Sequence, residues 1–138
     1  MGTALSKAYL LTKVLTASKI EVIVYLYEGA IGYLHRAAEA LREGRRAQSI
    51  QFVDRALHII IELSGSLNYT TGGQMALRLD TIYNHLIESL TLANARADLE
   101  AIESCEGILV ILHGAWQQAA ASDEHVQTEE PHQLRVSA

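Results

Sequence analysis

The stretch Leu26-Tyr27-Glu28-Gly29-Ala30-Ile31-Gly32-Tyr33-Leu34 decides the fold. Read as a helix, it sets Tyr27, Ala30 and Leu34 on one face and Leu26, Gly29 and Tyr33 on another. Two glycines stand where helix formers are expected, at a cost of about 1 kcal/mol each relative to alanine. A helix apolar on two faces has something to bury on each. One face meets the core of the chain, and the other asks for a second partner.

Working outward, the apolar positions Ile20, Ile23, Tyr27, Ala30, Leu34, Ala37 and Leu41 alternate in steps of three and four, an unbroken helical seam. Ser18 followed by Glu21 is a capping box that opens this helix, and Gly44 closes it. The same alternation returns three times: Ile50, Val53, Leu57, Ile60, Ser64 and Leu67; then Ala76, Leu79, Tyr83, Leu86, Leu90 and Ala93; then Ile102, Cys105, Leu109, Leu112, Trp116 and Ala119. The turn residues Asn68 to Gly73 separate the second pattern from the third, and Asp98 is the N-cap of the fourth. The second pattern carries an extra stripe, Phe52, Ala56, Ile59 and Leu63, so that apolar residues cover more than half of its circumference.

Four helices of similar length joined by short loops pack as antiparallel neighbours. The predicted fold is all-α, an antiparallel up-down-up-down four-helix bundle. The expected organisation is a short N-terminal segment over residues 1–15, the bundle over 16–121, and a disordered acidic C-terminal tail over 122–138. In that tail polar and acidic residues and Pro131 replace the seam.

Composition narrows the function. The chain has 138 residues, 49% of them hydrophobic, and six of its eight aromatics are Tyr, so the core is mostly aliphatic. A net charge of −5 argues against nucleic-acid binding. Excess acid gathers in residues 96–138, while Arg45, Arg46 and Arg55 form a small basic spot. A single cysteine, Cys105, fits a reducing compartment. With no apolar leader region and no run of 18 apolar residues, the expectation is a soluble, cytoplasmic protein without membrane insertion.

Helical bundles host metals through set ligand patterns. A di-iron site needs Glu-x-x-His on two helices. The only match, Glu129 to His132, lies in the tail, and His85-x-x-Glu88 has the reverse order. Cys105 occupies a seam position, where cysteine behaves as a small hydrophobe. Thr70-Thr71-Gly72-Gly73 lacks the Gly-Lys-Ser/Thr ending of a phosphate loop. No catalytic residue, metal or cofactor is expected, and an enzyme is not. What remains unusual is apolar surface off the seams, at Val22, Leu26, Tyr33, Phe52, Ile59, Leu63, Leu77 and Leu92. Such surface on a bundle marks a protein partner or self-association into a homo-oligomeric adaptor.

Tyr9, Val14-Leu15-Thr16-Ala17-Ser18 and Leu26-Tyr27-Glu28-Gly29-Ala30-Ile31 resemble the bacterial flagellar secretion chaperone FliS family. Ile60-Ile61-Glu62-Leu63, Ser66-Leu67-Asn68, Gly72-Gly73, Ile82-Tyr83, Leu90 to Asn94 and Ala115-Trp116 continue the likeness in order, over roughly residues 8 to 118. Lys19, Gly32 and Asn68 depart from the common family pattern without touching the seams. The resemblance implies a cytoplasmic export chaperone that binds the disordered C-terminal segment of flagellin. It would prevent premature polymerisation and deliver flagellin to the export gate protein of the flagellar type III apparatus. By the same analogy, residues 1–15 form a displaceable cap over an empty groove, and the chain is a monomer or weak homodimer. The expected partner contacts are Tyr9, Val14, Leu15, Ile23, Leu26, Tyr27, Phe52, Ile59, Leu63, Leu67 and Tyr83. Ile23, Tyr27, Leu67 and Tyr83 fit the core equally well.

Overall fold

The computed structural model describes the backbone of residues 19–137 and the side chains of 20–68 and 72–121. The capping box at Ser18, the segment 1–15 and, with it, Tyr9, Val14 and Leu15 lie outside the described residues. Four helices follow one another: α1 (Lys19–Arg42), α2 (Arg46–Gly65), α3 (Tyr69–Arg96) and α4 (Leu99–Ser137). The backbone of α4 is helical to Ser137, and the tail expected from residue 122 falls where the described side chains end.

Residues 26–113 form one compact unit, and residues 1–25 with 114–138 a second. In the second, Val24 is the buried residue of the first turns of α1, while Val22, Ile23 and Trp116 are half-buried. The candidate surface described below belongs wholly to the first unit.

Local chemistry sets the helix ends of that unit. Gly44 takes a left-handed φ of 77°, and the amides of Gly44 and Arg45 turn back to the carbonyls of Leu41 and Ala40. This is the double closure that satisfies the last carbonyls of a helix, and glycine adopts it without a Cβ clash. Ala97 repeats the conformation with a φ of 52° between α3 and α4, at a cost of about 1 kcal/mol for a residue with a Cβ. Asp98 then caps α4, its Oδ1 accepting from the Ala101 amide at 3.1 Å. Within α3 the backbone breaks its helical path at Gly73, where the sequence places the turn.

Cross-helix pairs define the topology. Gly29 lies against Ile59 and Tyr33 against Phe52, so α1 and α2 run in opposite directions. Glu28 meets His113, His35 meets Glu106 and Arg42 meets Glu103, so α1 and α4 do too. Beside α2, Asn94 of α3 donates to the Ile50 carbonyl and to Asp54, and Arg46 donates to the Ala95 carbonyl. The unit is the expected antiparallel helical bundle.

The α3 seam is buried at every position from Ala76 to Ala93. On α4, Ile102, Cys105 and Leu109 are buried and Leu112 is half-buried. On α2 the expected seam is corrected: the buried line is Ser49, Val53, Ala56, Ile60 and Leu63, while Ile50 is exposed and Leu57, Ser64 and Leu67 are half-buried. The core takes Ala56 and Leu63 from the extra stripe, and of these Leu63 was an expected partner contact. Where most of a helix is apolar, period alone does not choose the buried face. Each large core side chain here, such as Leu34, Ile60 or Leu86, contributes about 1.5–3 kcal/mol by leaving water.

Candidate functional site: an aromatic and basic face on α1 and α2

Two stripes meet along the α1–α2 contact. On α1, Leu26, Gly29, Tyr33 and Arg36 follow one another at helical spacing; on α2, Phe52, Arg55 and Ile59 do. The Tyr33 ring stacks on Phe52 with centroids 6.3 Å apart and planes inclined by 26°. The guanidinium of Arg36 lies 5.9 Å from the Tyr33 centroid and that of Arg55 lies 5.7 Å from it. Both are within the range at which a cation is attracted to an aromatic face.

The two glycines of α1 have different jobs. A Cβ on Gly29 would come 3.3 Å from Cδ1 of Ile59, so Gly29 lets α2 close against α1. A Cβ on Gly32 would meet nothing within 4 Å. There the missing side chain opens a shallow pocket of about 230 Å³ lined by Glu28, Gly29, Gly32, Tyr33 and Arg36. The carboxylate of Glu28, which lines the pocket, accepts a hydrogen bond from His113 Nε2 at 2.9 Å.

Of the residues expected to contact a partner, Leu26, Phe52 and Ile59 are half-buried on this face. Leu67, at the end of α2, and Ile23, in the other unit, are half-buried as well. Tyr27, Leu63 and Tyr83 belong to the core instead, each at most 1% exposed. The Tyr27 and Tyr83 hydroxyls meet across the core, which makes these residues internal supports and not surface contacts. Gly32, Arg36 and Arg55 were not among the expected contacts. Their signal was present: Tyr33 precedes Arg36 by three residues, Phe52 precedes Arg55 by three, and such pairs share a helix face. The basic spot of Arg45, Arg46 and Arg55 is dispersed, because Arg45 binds Glu43 and Gln48, and Arg46 binds the Ala95 carbonyl.

The titratable groups of the unit do not form a reactive centre. Burial pushes the Cys105 thiol up to about 11, so it stays protonated and unreactive at neutral pH. Burial first, then the hydrogen bond and charge proximity of Tyr27, drives the Tyr83 hydroxyl well above the usual phenol range. Among the described residues no three metal-ligating side chains gather, and no helix is long and apolar enough to cross a membrane. What the unit presents is a shaped apolar, aromatic and cationic surface. That combination defines a helical binding protein.

The comparisons give the family. Residues 1–124 match the family model described as flagellar protein FliS. The chain is 35% identical over 106 residues to the flagellar secretion chaperone FliS of Salmonella typhimurium, covering 76% of this chain and 78% of that protein. It is 34% identical over 98 residues to the FliS of Campylobacter jejuni, covering 71% and 77%. It is 27% identical over 116 residues to the FliS of Bacillus subtilis, covering 84% and 86%. The chain belongs to the FliS family of flagellar secretion chaperones. This is a chaperone family and not an enzyme family, and its work is in flagellar export.

Proposed function

We propose that this protein is a cytoplasmic chaperone for flagellin. It holds the disordered C-terminal segment of newly made flagellin, keeps it from polymerising, and releases it at the export gate of the flagellar type III apparatus. The observation that carries this reading is the α1–α2 face, where the open pocket over Gly32 adjoins the half-buried Tyr33–Phe52 stack. Half-buried Leu26, Phe52 and Ile59 supply the apolar contacts, with Leu67 as a further contact. A disordered amphipathic segment lays apolar side chains along such a face and orders as it binds. Part of the contact energy is lost to that ordering, which suits a complex that must later be released.

The free chain acts as a monomer or weak homodimer, and residues 1–15, with Tyr9, Val14 and Leu15, act as a displaceable cap. Circular dichroism tests the core of the proposal. Adding a peptide of the cognate flagellin C-terminal segment should give more helix than the sum of the separate spectra. A spectrum equal to that sum, at concentrations where light scattering shows self-association, would favour a homo-oligomeric adaptor.

A further inference from the structure

Arg36 and Arg55 come from different helices and converge on one ring, that of Tyr33. Among the described residues neither makes an ion pair. The chain is not short of acid, since its net charge is −5. Six carboxylates of the unit have other partners. Glu39, one turn from Arg36, faces His35, as does Glu106; Glu28 faces His113; Glu103 faces Arg42; Glu43 faces Arg45; and Asp54 accepts from Asn94. No residue three or four positions from Arg55 is acidic. Two guanidiniums without an ion-pair partner among the described residues therefore lie within 6 Å of one ring centroid, next to a pocket that a missing side chain leaves open.

We propose that Arg36 and Arg55 form a carboxylate-reading subsite beside the Gly32 pocket. The occupant is an amphipathic segment of the flagellar client, and the inference rests on the client-binding reading above. Its apolar anchor enters the pocket between Glu28 and Tyr33. An aspartate or glutamate side chain about one turn further along the segment meets the two guanidiniums. A carboxylate there supplies the counter-charge that both arginines lack and accepts charge-assisted hydrogen bonds. Glu28, two turns before Arg36 on α1, sets the opposite charge at the far end of the pocket. The bound segment is thereby oriented, with its acidic residue toward Arg36 and Arg55. The subsite thus selects among amphipathic segments by charge order, which apolar contact alone does not do.

Isothermal titration of the full chain with a synthetic peptide of the cognate flagellin C-terminal segment tests this. Both arginines are exposed, so R36Q, R55Q and the double variant should keep the urea midpoint of the parent chain. At low salt the single variants should weaken binding about fivefold and the double variant about twentyfold, while R55K recovers part of the loss because it keeps charge without the planar fork. At about half-molar salt the difference should shrink to about twofold. Changing the acidic residues of the peptide to amides one at a time should find one whose loss is non-additive with the double variant. A double variant that binds within twofold of the parent at low salt overturns the subsite while leaving client binding intact. A parent chain that does not bind the peptide overturns both.

Discussion

The hydroxyls of Tyr27 on α1 and Tyr83 on α3 lie 2.6 Å apart in the core, with ring centroids 6.4 Å apart and both side chains almost fully buried. The contact ties two helices that are not consecutive in sequence. It also satisfies polar atoms that would be costly alone in an aliphatic core. Tyr27→Phe leaves the Tyr83 hydroxyl without this partner and should cost about 1–3 kcal/mol in urea unfolding. The Tyr27→Phe, Tyr83→Phe double variant should lose less than the sum of the single losses, because replacing both groups strands neither.

Gly32 and Gly44 should respond oppositely to alanine. Gly32 is helical and faces open space, so Gly32→Ala should stabilise the fold by about 0.5–1 kcal/mol. Gly44 holds a φ of 77°, and Gly44→Ala should destabilise it by about 1–2 kcal/mol. Thermal unfolding of both variants against the parent checks the signs. Gly32→Leu should fill the pocket, keep the fold and weaken the flagellin peptide about tenfold, roughly 1.4 kcal/mol.

Aspartate at three neighbouring positions should separate surface from core. Leu26→Asp and Ile59→Asp alter half-buried residues on the α1–α2 face and should give folded helical chains that no longer hold the peptide. Leu63→Asp buries a charge at a position 1% exposed and should unfold the chain, since an unpaired buried carboxylate costs several kcal/mol. Circular dichroism and peptide titration on the same samples read both outcomes.

Cys105 makes stability depend on pH at the alkaline end. Its thiol titrates at 9.0 when unperturbed and is pushed up to about 11 by burial. The folded chain keeps the proton where the unfolded chain releases it. This contribution is therefore complete below pH 9 and is lost as pH rises through about 11. Urea midpoints should fall between these values, and Cys105→Ala should reduce the fall. Native alkylation at pH 8 should be about a hundredfold slower than in urea.

Most of the fold was legible because the same three-and-four alternation returns in all four helices. On α3, at least one polar residue stands between successive seam positions, and each predicted residue from Ala76 to Ala93 is buried. On α2 apolar residues cover more than half of the circumference. Ser49 is buried and Ile50 exposed, against simple hydrophobicity, because the position of a neighbouring helix, not residue type, chooses among several apolar faces. The candidate face was half legible for the same reason. Leu26, Phe52 and Ile59 stood out as apolar and off the seam, but the convergence of Arg36 and Arg55 on Tyr33 joins two helices. Spacing along one helix cannot show it. Nor could spacing distinguish Gly29, which admits Ile59, from Gly32, which leaves a pocket.

The most direct test of the chaperone reading is calorimetric titration of this protein with its cognate flagellin, intact and lacking the C-terminal segment. The account predicts a saturable complex with intact flagellin, loss of the complex when that segment is removed, and loss again with Ile59→Asp in this chain. Equal binding of intact and truncated flagellin, or no binding of either, would contradict it.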